Sequence, residues 1–596
     1  MRQLFLIFVF FITCSTILYG QDNILISSKQ VSNTEKINEI LRKNEAYISV
    51  DLVEINLDKL LEYEEFTLQL YERNIPIKKD RIETKGINNF IFVGGNNDGD
   101  HILMSVLGND IQGVIETRNN DVFTIETVGE RQYALITVDN CMLLEACCSL
   151  KGKKAHSSVE NVNRNAYDSH VENGLGIASS HNLNVASEND CKIRVLVLYT
   201  PSAKLSVSNI KNTIQTAVAL TNQAFTYSQI DYQIELVYAG QTDYIESDFE
   251  TDLCRFRVAN DGFMDEVHTL RNKYSADICV LLINDVNYCG LATDVGVAEY
   301  DAFCAVSSSS SCMISNYSFA HEIGHLLGCR HDNDYGTTPF PYGHGYISPS
   351  HAWRTIMAYN ISGMSIPRLS YWSNPNILHN GEPMGTVAVN DNARVWNERS
   401  NTVIRFRQPD NNIIFTDSDI PNTLYADVIA KQNITTNGIV NIKSGNTINM
   451  RAGNSIFLQP GFSVQLNAEF SAKIENVDDC EECTTSFSHI LVQNVPEEDD
   501  IEHIKNKNAL SFSYTVTPDS SDKFINIKYF LETEMPFSIE LVNLFGQKIQ
   551  TILSKQHEPA GNYTLQIPVC DIPEGTYFLT ISSNDQKITK KIIINK

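Results

Sequence analysis

The densest chemistry in this 596-residue chain lies in the run His321-Glu322-Ile323-Gly324-His325-Leu326-Leu327-Gly328-Cys329-Arg330-His331, which reads HExxHxxGxxH. Helix positions four apart share a face, so His321 and His325 can turn both imidazoles toward one metal ion. Glu322 follows the first histidine, where its carboxylate can reach a metal-bound water rather than the metal. Gly328 can take the positive φ that ends a helix and swings the chain back, and that turn brings His331 in as a third ligand. Three histidines with the fourth position open is the coordination of a catalytic zinc rather than of a closed structural site. HExxH alone arises by chance on ordinary amphipathic helices; here five positions coincide, one of them a glycine with a geometric task.

A ligand set of this kind needs a scaffold, and the sequence around it predicts one. Strand-like Cys191–Tyr199 precedes a helical stretch at Ile210–Phe225 and a strand at Tyr232–Tyr238. A second helix covers Met264–Tyr274, before a strand at Ala276–Ile283. Strands alternating with helices imply a twisted sheet with helices packed on it, hence an α/β catalytic domain. The metal-motif helix runs from about Ser318 to Leu327, and Gly290–Val306 is a candidate edge strand on which an extended peptide could pair its backbone.

Downstream, Thr355-Ile356-Met357-Ala358-Tyr359 stands at a distance suited to a Met-turn. With the HExxHxxGxxH run it resembles the metzincin clan of zinc endopeptidases. Asp332, directly after the third histidine, is similar to the reprolysin branch. So are Cys191-Lys192-Ile193-Arg194-Val195-Leu196-Val197-Leu198-Tyr199-Thr200-Pro201 and Asp261-Gly262-Phe263-Met264-Asp265-Glu266-Val267-His268, which match bacterial reprolysin-like proteases. The resemblance runs from about Cys191 to Arg407. Thr355 stands where animal reprolysins carry a cysteine, so their disulfide pairings do not transfer.

The resemblance implies a zinc-dependent endopeptidase that hydrolyses protein substrates. One Zn2+ held by His321, His325 and His331 activates a water, Glu322 is the general base, and Tyr359 assists the transition state. Met357 forms an apolar floor under the metal, with Gly328 and Asp332 as structural neighbours of the site. His344 and His351 read as loop or pocket-wall histidines. A calcium ion is compatible with such a domain, and no motif supports one. The alternative is a catalytically silent surface adhesin or binding protein on a protease fold; the presence of Glu322 speaks against it.

The length predicts several domains. A net charge of −26 argues against nucleic acid or an anionic membrane as partner. Met1-Arg2 followed by the apolar run Leu4 to Tyr19 reads as a signal peptide over 1–20, and Cys14 within it follows Thr13, a poor lipobox residue. No later segment reaches the length needed for a transmembrane helix. Residues 21–189 alternate short β-like runs, among them Phe90–Val93 and Val122–Ile125, with polar turns and read as a β-rich propeptide. Its linker, 151–190, is the expected cleavage region, and Cys141, Cys147 and Cys148 are candidate thiolate ligands for a cysteine switch.

Export permits disulfides. Of the 14 cysteines, Cys279 falls in an apolar strand and reads as a free thiol. Cys191, Cys254, Cys289, Cys304, Cys312 and Cys329 make an even set with fifteen possible pairings.

After the catalytic domain, at 190–410, the character turns all-β. Gly445, Gly453 and Gly461 mark an eight-residue repeat with apolar positions in phase, Val440 with Ile442 and Ile448 with Met450. Glycine turns between short strands at a fixed period predict a small stacked β module over 411–479, similar to coathanger-like stack domains. An acidic linker, 480–510, leads to a β-rich domain at 511–596. Its segments Phe537–Gln547, Ala560-Gly561-Asn562-Tyr563 and Ile572–Leu579 resemble the C-terminal sorting domain of the type IX secretion system. The resemblance implies an immunoglobulin-like fold, the type IX machinery as partner, and passage across a Gram-negative outer membrane to the surface or medium.

Overall fold

A computed structural model describes residues 24–138, 192–477, 490–491 and 512–594, apart from a few positions inside these stretches. The expected signal peptide, Cys141, Cys147, Cys148, Cys191, the 151–190 linker and the acidic run at 496–500 lie outside the described residues. The chain forms two compact units, the second of which holds the residues from Cys480 onward.

The first unit opens with a closed β-barrel. Its strands are β1 (Ile24–Ser28), β2 (Tyr47–Ile55), β3 (Glu65–Leu70), β4 (Arg73–Gly86), β5 (Asn89–Gly95), β6 (His101–Leu107), β7 (Asp110–Glu116), β8 (Val122–Gly129) and β9 (Gln132–Val138), with helix α1 (Thr34–Leu41) between the first two. Neighbours pair in the order β1-β2-β9-β8-β7-β6-β5-β4-β3, and a parallel pairing of β1 with β3 closes the ring. Alternation drives the inward packing: along β3, Phe66, Leu68 and Leu70 are buried while Glu65 is exposed. Phe92, Met104, Ile115 and Ile125 complete a dry interior.

The catalytic region follows as β10 (Ile193–Tyr199), α2 (Pro201–Ser206), α3 (Ile210–Tyr227), β11 (Ile234–Gln241), α4 (Phe249–Arg257), α5 (Glu266–Lys273), β12 (Ile278–Ile283), β13 (Gly290–Ala292), β14 (Phe303–Ser307), α6 (Ser318–Leu327), β15 (Asn374–His379), β16 (Glu382–Met384) and α7 (Asn392–Val403). Strand β10 pairs in parallel with both β11 and β12 and is buried along its whole length. That explains its unbroken apolar run. The stretch expected as one edge strand, Gly290–Val306, is two antiparallel strands. The 3-10 turn Glu299–Asp301 interrupts it, so β13 forms the edge and β14 lies inside.

The repeat region also departs from the simple stack that its eight-residue period suggests. It forms β17 (Asn412–Phe415), β18 (Thr423–Ala430), β19 (Asn433–Thr436), β20 (Val440–Ile442), β21 (Thr447–Ala452), β22 (Ser455–Phe457), β23 (Phe462–Val464) and β24 (Glu469–Ile474). Parallel neighbours recur 22 residues apart: Tyr425 with Thr447, Thr447 with Glu469, Val440 with Phe462. The eight-residue spacing is therefore one face of a three-faced coil. Its strand β18 pairs antiparallel with β11, so β18, β21 and β24 extend the catalytic sheet. Val428, Ile448 and Met450 share one buried cluster with Leu196, Leu281 and Phe303 of the catalytic region.

The second unit holds β25 (Ile490–Leu491), β26 (Phe512–Pro518), β27 (Phe524–Leu531), β28 (Met535–Asn543), β29 (Lys548–Glu558), β30 (Gly561–Pro568), β31 (Gly575–Ser583) and β32 (Gln586–Ile594). They form two antiparallel sheets, β25-β30-β27-β26 and β29-β28-β31-β32, closed over Ile527, Leu531, Ile539 and Leu579.

The cysteine expectation is corrected in part. Cys289 and Cys312 form a disulfide, whereas Cys254, Cys304 and Cys329 are free thiols beside the expected free Cys279. Cys304 sits on a central strand inside the apolar core, and Cys254 is exposed on α4. No described helix is long and apolar enough to cross a membrane.

Candidate metal centre

Helix α6 spans Ser318–Leu327, and every residue in it is buried. It ends at Gly328, whose φ of +123° closes the turn as the sequence required. A Cβ built there would stand 2.7 Å from the Phe340 ring, so the position also lacks room for a side chain. Past this turn His331 returns toward the helix. The three histidines converge, each with one ring nitrogen in a cluster no wider than 4.8 Å. His331 Nε2 lies 3.0 Å from both His321 Nε2 and His325 Nε2.

The outer nitrogens explain why the inner ones face each other. His321 Nδ1 donates to the Ile356 carbonyl at 2.9 Å, and His325 Nδ1 to the Cys329 carbonyl at 2.8 Å. A proton held on Nδ1 leaves Nε2 as a bare lone pair. Burial pushes His325 down to about 4 and the other two rings well below the ordinary histidine value, which favours the neutral, ligating form of the imidazoles. Converging lone pairs repel unless a cation lies among them, so this donor set fits a zinc ion.

Glu322 adds a second signature. Both of its carboxylate oxygens are buried without a hydrogen-bond partner among the described residues. Burial raises its pKa well above the ordinary value. An orphaned buried carboxylate costs more than about 1–3 kcal/mol, so its partner belongs to the bound state of the site. Gly290 on β13 makes the space: a Cβ there would lie 2.5 Å from Glu322 Oε1. Sequence reasoning did not single out Gly290, although a glycine at the start of the edge strand is a signal of close approach.

The Met-turn lies beneath. Met357 is fully buried, and its Sδ stands 3.1 Å from where a Cβ on Gly324 would be. Its turn is closed by Ala358 N–H donating to the Thr355 carbonyl at 3.0 Å. The Tyr359 ring sits 3.8 Å, centroid to centroid, from His331. Asp332 accepts a hydrogen bond from the Tyr359 backbone N–H. His344 is buried and donates from Nδ1 to the His331 carbonyl at 2.9 Å, and so supports the third histidine from behind. His351 is an exposed turn residue.

Two buried arginines, Arg354 and Arg368, were missed because nothing in their spacing marks them. Both donate to the Ala358 carbonyl, at 2.6 and 2.9 Å. Arg368 also reaches the Asn316 carbonyl and side chain, at 2.9 and 2.6 Å, and so ties the Met-turn to the residues just before α6.

Comparison with known proteins agrees with this geometry. Residues 189–373 match the model of metallo-peptidase family M12, and residues 516–595 that of the secretion system C-terminal sorting domain. A peptidyl-Asp metalloendopeptidase of Stenotrophomonas maltophilia strain R551-3 is 38% identical over 53% of this chain and 72% of its own length. That of strain K279a is 45% identical over 39% of this chain and 56% of its own. The Pseudomonas fragi protein of the same name is 38% identical over 31% of this chain and 99% of its own length.

Proposed function

This chain belongs to metallo-peptidase family M12, and on that footing we propose that it is a zinc endopeptidase cutting protein substrates at peptidyl-Asp bonds. The substrate class rests on the printed name of the relatives. The sorting domain directs the chain through type IX secretion to the cell surface or medium. The observation that carries the reading is the pairing of three converging histidine nitrogens with an orphaned Glu322 carboxylate in one buried site.

In this reading His321, His325 and His331 hold the zinc, which supplies Lewis acidity to a water and to the scissile carbonyl. Glu322 accepts the proton of the attacking water on a carboxylate oxygen and returns it to the leaving nitrogen. Strand β13 receives the substrate backbone as an extended edge partner. Tyr359, in contact with the His331 ring, assists the transition state, and Met357 floors the metal. The N-terminal barrel is the propeptide, removed by cleavage within 151–190.

The test is hydrolysis of casein and of Asp-containing peptides by the purified chain, with and without a zinc chelator, beside Glu322→Ala. We expect chelator-sensitive cleavage next to aspartate, and in the variant a loss of at least about 100-fold with zinc retained. Full hydrolysis by Glu322→Ala contradicts the assigned base, and cleavage that ignores aspartate contradicts the substrate class.

A further inference from the structure

One buried carboxylate joins the barrel to the metal site without belonging to the catalytic region. Glu116 ends β7 and is 4% exposed. One of its oxygens, Oε1, accepts from the Tyr317 hydroxyl and from Ser370 N–H, the latter at 2.8 Å. The other, Oε2, accepts from the Ser370 hydroxyl at 2.7 Å. Burial pushes the Glu116 carboxyl up, and these hydrogen bonds pull it back.

The two partners sit on opposite sides of one seam. Tyr317 is the N-cap of α6, one helical turn before His321, to which its carbonyl is bonded. Ser370 is in the segment after the Met-turn, two residues beyond Arg368. Within the catalytic region that seam is tied by Arg368, between Asn316 and Ala358, and by His321 Nδ1 donating to the Ile356 carbonyl. Glu116 adds a tie from the barrel, one residue beyond Asn316 on the helix side and two beyond Arg368 on the other.

The backbone at this seam is also strained. Tyr317 has φ +51°, in the left-handed region, where a bulky aromatic is rare. Such a residue persists only where its surroundings over-determine it. Here the surroundings include the barrel carboxylate. The barrel strengthens the same corner through Thr124, whose hydroxyl is 2.5 Å from that of Ser315.

We infer that Glu116 is a positioning residue for the metal centre: from the barrel, it holds the start of the histidine helix against the Met-turn segment, so that His321 meets His325 and His331. In the uncleaved chain the barrel thus acts as a template on the flank of α6. This inference rests on the reading that the three histidines hold zinc.

The test uses the full chain and reads metal binding rather than hydrolysis. Zinc affinity is measured by competition with a chromophoric chelator, and the site is probed by the visible spectrum of bound Co2+. Glu116→Ala is expected to weaken zinc about tenfold and alter the cobalt bands, with Glu116→Gln between it and the unmodified chain. Tyr317→Phe deletes only one hydroxyl and should weaken zinc in the same direction, which keeps the test decisive if Glu116→Ala does not fold. Asp110→Ala breaks a different barrel contact, the 2.6 Å bond from Asn212 on α3, and is expected to leave zinc affinity unchanged.

Wild-type affinity and cobalt spectrum in Tyr317→Phe and in every Glu116 variant that folds overturn the inference. So does an equal loss in Asp110→Ala, which would mean that docking in general matters. If the unmodified chain binds no zinc, or His325→Ala binds it equally well, the metal-centre reading itself fails and this inference goes with it.

Discussion

Asp332 and Tyr359 are joined at the edge of the metal centre: Asp332 Oδ1 accepts the Tyr359 backbone N–H at 2.8 Å. Asp332 follows the third histidine directly, and Tyr359 stands two residues beyond Met357. The bond therefore fixes the returning strand of His331 to the exit of the Met-turn, and it holds the Tyr359 ring against the His331 imidazole. Removing the acceptor in Asp332→Ala should lower zinc affinity about tenfold, whereas Asp332→Asn keeps an oxygen in place and should retain most of it. Chelator competition reads both; equal affinities for the two variants would show that the bond does not position the ligand.

Gly290→Ala tests the room beside Glu322. The added Cβ falls 2.5 Å from Oε1 and 2.6 Å from Cγ, so either β13 or the carboxylate must move. A displacement of this size at a reacting group costs up to about 100-fold in kcat. Zinc content should not change, because no ligand is touched. A variant with normal kcat would remove Gly290 from the account of the site.

Truncation after residue 410 tests whether the three-faced coil is a spacer. It would strip β18 from the free edge of β11 and expose the cluster shared by Val428, Met450 and Leu196. Burying side chains of this kind is worth about 1.5–3 kcal/mol each, and an uncovered sheet edge invites aggregation. The truncated chain should be insoluble or melt far below the intact one. A soluble, fully active product would make the coil dispensable.

His101 makes a pH prediction. Its ring lies 4.7 Å from Tyr227 of α3, and burial lowers its pKa to about 4, opposed by Asp100 and reinforced by His379. The folded state therefore binds this proton less readily than the unfolded state, whose value is 6.5. Its contribution is fully present above about pH 6.5 and is lost as the pH falls toward 4, by about 3 kcal/mol. Melting temperature should drop across that window in the unmodified chain and drop less in His101→Phe. Parallel curves for the two would assign the acid sensitivity to other groups.

Much of the site was legible because it depends on local periodicity. The i, i+4 spacing of His321 and His325 and the glycine at 328 encode a helix, its end and its reversal within eleven residues. Helix α6 matches the expected Ser318–Leu327 span. The strand expected at Cys191–Tyr199 is β10, and the fold shows it buried and paired in parallel on both sides. The eight-residue glycine period was read correctly as turns, yet it could not reveal that three faces make one coil, since the 22-residue pairing is between chains of residues far apart.

What the sequence by itself determined is the chemistry: three imidazoles, a carboxylate and the turn that unites them follow from residue types at short spacing. Tertiary structure alone decided what surrounds that chemistry. Glu116 meets Ser370 across 254 positions, and Arg368 meets Asn316 across 52. Contacts of this range depend on how strands and helices stack, and burial supplies their energy. No local pattern records them, and for that reason the cysteine pairing, the shared sheet and the barrel's hold on α6 became visible only in the fold.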